Sequence, residues 1–203
     1  MILEMHPVNP EARLIARAAA MLDSGGILAY PTDSVYGVGC DAANNRAVEA
    51  LYKLQNSDRH KPYALICRSL SEVAEYAKVS NASFRIMKQH TPGPYVFILE
   101  ASRLVPKILL DRRKTIGVRI PSNPVARDLV NALGRPILSS SLKNEAGEFV
   151  VDPEEVHRLI GARINAVIKA EEVGSTPSTV VSLVGDVVEV VREGKGDVSE
   201  FRG

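Results

Sequence analysis

The sequence predicts an α/β fold with a twisted, mixed open sheet and helices packed on it. Short apolar segments typical of buried strands alternate with amphipathic helical segments along the whole chain. No internal repeat, linker or low-complexity segment divides it. A chain of 203 residues can bury one large core. We therefore expect residues 1–203 to form one domain.

The helices are indicated by apolar residues at helical spacing between residues that cap helices. We expect Asn9 to cap the first helix, with Pro10 in its first turn and Gly25 at its end. Asn81 is the expected cap of a later helix. In order, the predicted helices read NPEARLIARAAAMLDSGG, RAVEALYKLQN, SLSEVAEYA, NASFRIMKQH, NPVARDLVNALG and DPEEVHRLIG.

The strands are indicated by short apolar runs between turn residues. The predicted strands read ILAY, YALIC, YVFILEA, TIGVRIP, PILSSS, NAVIKA, STVVSLV and VVEVVREG. The segment YPTDSVYGVGC, residues 30–40, is interpreted as a loop after ILAY, because a proline, an acid, hydroxyls and two spaced glycines interrupt the apolar pattern. So many hydrogen-bonding side chains in one loop indicate a place where a ligand binds.

Composition excludes several classes of protein. The net charge of +1 is too small for a generally basic nucleic-acid-binding surface, so any RNA contact needs a local patch. Neither a signal peptide nor a run of ~18 apolar residues is present, and we expect a cytoplasmic protein without membrane contact. Cys40 and Cys67 are interpreted as buried free thiols. The scattered histidines predict no zinc site.

Four polar segments follow or end predicted strands: PTDSVYG, RIPSN, SSSLKN and REGKGD. Ligands of open α/β sheets collect outside the carboxyl ends of strands. If these strands are parallel neighbours, the four segments meet in one cleft.

Each polar segment also has a purely structural interpretation. Thr32 to Ser34 could form only a local turn. Arg119 lies in an apolar strand, where strand alternation alone favours an outward side chain over a buried anion ligand. Ser139 to Ser141 could be ordinary loop hydroxyls. The basic runs at 57–62 and 111–119 could be solvated surface or could bind phosphate.

A resemblance to a known family rests on several blocks taken in order: GGILAYPTDSVYGVGCDA, KPYALIC, TPGPYVFIL, KTIGVRIPSNPVA, ILSSSL, STVVSL and VVREGKGD. Together they cover residues 25–197 and resemble the YrdC-like family, which includes the threonylcarbamoyl-adenylate synthases. The segments FRIMKQHTPGPY and RRKTIGVRIPSNP are most similar to its YciO branch.

The resemblance implies a YrdC/RibB-like sheet with a concave basic cavity. It implies three substrates, which are ATP, L-threonine and bicarbonate, and it implies that Mg²⁺ accompanies ATP. Threonine and bicarbonate would form a carbamate, whose oxygen attacks the α-phosphorus of ATP and expels pyrophosphate. The product, threonylcarbamoyl-adenylate, would serve tRNA modification, and tRNA or double-stranded RNA would be a partner. No side chain is expected to act as a nucleophile, because positioning and charge stabilisation suffice.

The resemblance also assigns site residues. Those implied for threonine are Thr32, Tyr36, Arg119 and Ser139. Those assigned to the nucleotide, by motif position or as substitutes for missing cations, are Arg59, Lys61, Thr115, Ser141, Lys143 and Arg192. The expected RNA surface is Arg112, Arg113 and Lys114.

Two motifs of the synthases are not kept. Their Lys-x-Arg pair is replaced by Gln55, Asn56 and Ser57, and their Ser-x-Asn by Ser141, Leu142 and Lys143. Two hypotheses therefore stay open. In the first, the protein is a synthase in which cations from nearby positions replace those that are missing. In the second, it binds RNA or nucleotide through the same fold with little synthase activity.

Overall fold

The computed structural model describes residues 1–55, 63–110, 113–170 and 173–201. Within these ranges one sheet contains β1 (Ile2–Glu4), β2 (Ile27–Tyr30), β3 (Gly37–Asp41), β4 (Ala64–Ile66), β5 (Tyr95–Glu100), β6 (Thr115–Arg119), β7 (Ile137–Ser141), β8 (Ala166–Lys169), β9 (Thr179–Ser182) and β10 (Glu189–Arg192). The helices are α1 (Ala12–Asp23), α2 (Asn45–Leu54), α3 (Leu70–Tyr76), α4 (Asn81–His90), α5 (Pro124–Leu133) and α6 (Pro153–Ile160). Short 3-10 helices lie at Lys107–Leu109, Gly161–Arg163, Val184–Asp186 and Ser199–Phe201.

The strand order across the sheet is β1-β8-β2-β3-β7-β4-β6-β5-β9-β10. Strand β8 pairs in parallel with β1 and β2, β4 with β6, and β5 with β9. The other neighbouring pairs are antiparallel. The predicted α/β fold with a mixed open sheet is therefore confirmed.

Some local predictions were wrong. The segment after β2 is a loop only over residues 31–36, because residues from Gly37 onward form β3 and pair with both β2 and β7. Strand β1 was not predicted. Helix α1 begins at Ala12 after Glu11, so Asn9 does not cap it. Helix α4 is capped by the Ser80 hydroxyl rather than by Asn81.

Helix α5 shows that both helix ends can be predicted where the local signals are complete. The Asn123 side chain accepts a hydrogen bond of 3.1 Å from the Ala126 amide, and Pro124 occupies the first turn. Gly134 ends the helix with a φ of 75°, which a residue with a side chain rarely adopts. All three residues belong to the predicted helical segment NPVARDLVNALG.

The two faces of the sheet are covered differently. On one face, side chains such as Val38, Leu65, Phe97, Val118 and Leu138 pack in the main core with apolar residues of α2, α3, α4 and α6. This core explains why alternate residues of the central strands are fully buried.

On the opposite face, α1 and α5 cover one part of the sheet. Leu28, Tyr30, Ile66, Ile137 and Ala166 form a second apolar cluster with these two helices. The strand residues beyond this cluster on the same face are small, polar or half-buried, and they line a cavity. In the part of the chain that the structure describes, no helix combines the length and apolarity needed to cross a membrane.

Candidate functional site

A cavity of about 410 Å³ lies against the face of the sheet that α1 and α5 leave open. This volume is within the usual range for small-molecule sites. The floor includes the small residues Gly37, Ala64, Gly117 and Ser139. A Cβ atom at Gly117 would lie only 3.0 Å from the Tyr63 carbonyl oxygen and 3.2 Å from Val96 Cγ1. Because Gly117 has no side chain, no side-chain atoms fill the cavity at this position.

The polar segments meet across the sheet rather than at one edge. Strand β4 is parallel to β6 and antiparallel to β7, so β6 and β7 run in opposite directions. Ile66 of β4 pairs with Arg119 at the end of β6 and with Ile137 at the start of β7, so the end of β6 lies beside the start of β7 in the sheet. The condition that these strands are parallel neighbours is therefore not met, yet PTDSVYG, SSSLKN, RIPSN and REGKGD each contribute residues to the cavity wall.

Arg119 lies in this wall and is buried, with a relative exposure of 7%. Its Nη2 forms an ion pair with Asp33 and lies 3.5 Å from Thr32 Oγ1, and its Nη1 donates to Ser34 Oγ at 3.1 Å. Its Nε is buried without a hydrogen-bond partner. The interpretation of Arg119 as an outward-facing side chain, which strand alternation alone favoured, is therefore wrong.

Asp33 is a site residue that the sequence-based assignment did not include. Its second oxygen accepts hydrogen bonds from the Ser122 amide at 3.1 Å and the Ser122 hydroxyl at 2.7 Å. Burial alone would raise the pKa of the Asp33 carboxyl, but Arg119 and Ser122 together hold it below its usual value. Asp33 is thus ionised and supports Arg119. In the sequence, the acidic residue between two hydroxyl residues in PTDS was the signal that could have identified Asp33 as a site residue.

The PTDS loop is both a local turn and part of the site. Thr32 Oγ1 donates to the Val35 carbonyl at 2.7 Å and accepts from the Ser34 amide at 3.1 Å, which is the predicted turn structure. Ser34 Oγ also lies 3.1 Å from the hydroxyl of Ser178 near β9. Thr32 of the turn and Ser178 both line the cavity.

The remaining residues expected at the threonine side are placed differently. Ser139 lines the cavity and accepts a hydrogen bond of 2.7 Å from the Tyr30 hydroxyl, while burial raises the pKa of Tyr30 to about 12. Tyr36 is fully buried in the main core, and its hydroxyl donates to the Ile168 carbonyl at 3.2 Å. The structure does not bring Tyr36 into the cavity wall.

The cavity wall carries further cationic and hydroxyl groups. Arg192 donates two hydrogen bonds to the Ser178 carbonyl, at 2.8 and 3.2 Å. Partial burial and the charge of Arg119 lower its pKa. Lys143 Nζ lies 4.7 Å from the centre of the Phe149 ring, in the geometry of a cation–π contact.

Three hydroxyl residues assigned or considered at the sequence level also lie in this wall. Thr115 and Ser141, which were expected at the nucleotide, both line the cavity. Ser140 is also one of the residues of this wall, and its buried hydroxyl has no hydrogen-bond partner.

A second cavity of about 710 Å³ adjoins the first, because Ile98 and Thr115 line both. Arg113 and Lys114, expected at an RNA surface, lie in its wall, and Lys114 has a left-handed φ of 57°. The expected residues Arg59, Lys61 and Arg112 lie outside the described residues. A net basic charge of the whole concave surface therefore stays a prediction.

The fold and the site define an α/β protein with a cavity on an open sheet face, lined by hydroxyl groups and by Arg119, Lys143 and Arg192. The Sua5/YciO/YrdC family model, described as telomere recombination, matches residues 20–194. The chain belongs to this family, as the sequence blocks indicated.

Curated relatives and solved structures are similar over nearly the full chain. YciO of Escherichia coli (strain K12) is 43% identical over 199 residues, which cover 97% of both chains. Its crystal structure superposes with a TM-score of 0.94, at 42% identity and with 99% and 98% of the two chains covered. The threonylcarbamoyl-AMP synthase of Methylobacillus flagellatus is 32% identical over 164 residues, 80% of this chain and 91% of that protein.

A structure of P. abyssi Sua5 complexed with L-threonine is also similar, with a TM-score of 0.92 and 25% identity. It covers 98% of this chain, whereas this chain covers 59% of that longer protein.

Proposed function

We propose that the protein is a threonylcarbamoyl-AMP synthase-type nucleotidyltransferase. It would use ATP, L-threonine and bicarbonate and release pyrophosphate. The observation that carries the proposal is that Arg119, Lys143 and Arg192 line one cavity together with hydroxyl groups. An amino-acid carboxylate and a nucleotide phosphate both require such donors.

The carboxylate of threonine would bind at the Arg119 end of the cavity. The buried Nε–H of Arg119 has no partner, and Thr32, Ser139 and Ser178 supply hydroxyls within the same wall. Arg119 itself is held by Asp33 and Ser34, so it meets the ligand in a fixed orientation. The L-threonine complex of the similar Sua5 protein supports this choice of amino acid.

The phosphates of ATP would bind at the Lys143 and Arg192 end. Among the described residues, neither cation forms an ion pair with an acid, so both charges are available to an anion. Lys143 stands where the synthases carry the asparagine of Ser-x-Asn, and we propose that it partly replaces the missing Lys-x-Arg cations. Stabilising the charge that develops at the α-phosphorus is the main work of such a site.

Mg²⁺ would enter with ATP. In the described ranges no three His, Cys, Asp or Glu side chains are grouped to hold a metal ion, so the phosphates would provide its principal ligands. The product, threonylcarbamoyl-adenylate, would then be used in tRNA modification. Arg113 and Lys114 in the wall of the adjoining cavity would provide positive charges for an RNA backbone. We propose a cytoplasmic location for this chemistry.

Pyrophosphate release tests the proposal directly. Purified protein is supplied with ATP, Mg²⁺ and bicarbonate, with and without L-threonine. We expect release that depends on threonine and that falls about tenfold or more in Lys143→Ala, because one cation next to the phosphates is lost. Lys78→Ala is the matched control, since Lys78 forms an exposed ion pair with Glu100 and lies outside this cavity.

Absence of threonine-dependent release would contradict the synthase proposal. If ATP still bound under those conditions, and bound more weakly in Lys143→Ala, the second hypothesis would replace it. The protein would then be a nucleotide-binding member of the family that does not carry out this reaction.

A further inference from the structure

The Arg119 charge is neutralised inside the protein before any ligand arrives. The exposed fractions of the Arg119 and Asp33 side chains are 8% and 11%. Arg119 lines the cavity, whereas Asp33 is not among the residues of its wall. Two hydrogen bonds from Ser122 hold Asp33 in place. The Arg119 subsite therefore presents an ion pair of zero net charge to the cavity, and the buried Nε of Arg119 has no hydrogen-bond partner.

We propose that Asp33 makes the Arg119 subsite electrically neutral and thereby selects a zwitterionic amino acid over a simple anion. The proposal rests on the proposed function for the identity of that amino acid. Asp33 acts through Arg119 and is a positioning residue, because it does not itself line the cavity.

The physical reason is charge matching in a poorly solvated place. A simple carboxylate gains most from an uncompensated guanidinium, and it would bind tightly if Asp33 carried no charge. A zwitterion gains less there, because its ammonium group is repelled by Arg119 and by the nearby Arg192, whose own pKa Arg119 already lowers. With Asp33 ionised, the repulsion from Arg119 is cancelled and only that from Arg192 remains, while the carboxylate of the ligand still interacts with the Arg119 guanidinium.

The test compares ligands that differ only in the ammonium group. L-Threonine and 3-hydroxybutyrate, which is threonine without its α-amino group, are titrated calorimetrically into the wild type and Asp33→Asn. We expect the ratio of the 3-hydroxybutyrate affinity to the threonine affinity to rise by about tenfold or more in Asp33→Asn. An arginine beside an acid shifts the protonation equilibrium of that acid by at least this factor, which sets the scale for the loss of one charge here. Sulfate is titrated as well, and its affinity should rise in the same variant.

Asp23→Asn is the matched control. Asp23 also pairs with an arginine, Arg135, but at a site outside the cavity, and its side chain is 66% exposed. This variant removes one negative charge from the protein without changing the Arg119 subsite. Its three affinities should equal those of the wild type.

Ser122→Ala provides an independent variant that keeps the charge of Asp33. It removes the 2.7 Å hydrogen bond to Asp33 but leaves the ion pair with Arg119, so its ligand ratio should stay within about twofold of the wild type. An unchanged ratio and unchanged sulfate affinity in Asp33→Asn would overturn the proposal. If Asp33→Asn does not fold, Asp33→Ser, which also removes the charge, takes its place, and an unchanged ratio in that variant would do so.

The sulfate titration separates this proposal from the proposed function. If the wild type bound neither threonine nor 3-hydroxybutyrate, the choice of amino acid would be wrong. A rise in sulfate affinity in Asp33→Asn would then still support the role of Asp33, and no rise would overturn it.

Discussion

Replacing Arg192 should weaken ATP binding strongly while changing stability little. Its guanidinium is fixed by two hydrogen bonds to the Ser178 carbonyl, and it lines the same cavity as Lys143. A charge-assisted hydrogen bond contributes about 1.5–3 kcal/mol, so Arg192→Ala should weaken ATP binding by about ten- to hundredfold. Arg192→Lys keeps the charge but loses the planar fork, and we expect an intermediate loss.

The stability effect should be small because two contributions oppose each other. The variant loses the bonds to the Ser178 carbonyl, but it also removes a half-buried charge, whose pKa is lowered first by burial and second by repulsion from Arg119. We expect the free energy of unfolding to change by no more than about 1 kcal/mol.

The assay is isothermal titration of ATP with Mg²⁺, accompanied by urea unfolding of each variant. Arg163→Ala is the control, because Arg163 also donates to backbone carbonyls, those of Lys53 and Leu54, but does not line the cavity. An ATP affinity within twofold of the wild type in Arg192→Ala would refute the assignment of Arg192 to the phosphates. A similar loss in the control would show that the effect is not local.

Other measurements check the structure around the site. Arg135→Ala should lower the free energy of unfolding by about 3–5 kcal/mol, because it leaves the buried Asp41 carboxylate without its cation. Asp23→Asn, which removes only an exposed partner of Arg135, should lower it by less than about 1 kcal/mol. Equal effects of the two variants in urea unfolding would contradict this. The lowered pKa of Asp33 means that its ion pair stabilises the protein above about pH 4 and that this contribution is lost as the pH falls further. The stability difference between the wild type and Asp33→Asn should therefore shrink between pH 5 and pH 3, and a constant difference would count against an ionised Asp33. Burial raises the pKa of Cys40 to about 12, so a thiol reagent at pH 8 should modify it only after unfolding, and rapid labelling of the native protein would disprove its burial.

Local signals in the sequence were sufficient for most elements. The cap and stop of α5 depend on Asn123, Pro124 and Gly134, which lie at its two ends and act within one turn of the helix. The apolar runs of β5 and β6 likewise identify buried strands from their own residues. These features depend on neighbours in the sequence, so the sequence carries them completely.

Competing local signals led to the errors. The glycines of β3 indicated a loop, but Gly37 and Gly39 are strand residues next to the Tyr30 ring. A Cβ atom at Gly37 would lie 3.1 Å from the Ser139 hydroxyl. Close packing across three strands, rather than backbone flexibility, therefore accounts for a small residue at this position.

The sequence by itself determined most of the elements, the family motifs and the chemical types of most site residues. The tertiary structure decided which of those residues meet. Arg119 and Asp33 are 86 positions apart, and whether this arginine faces solvent or an acid depends on how β6 lies relative to the loop after β2. Only the folded sheet sets that distance, because an ion pair depends on the separation of two charges in space and not along the chain.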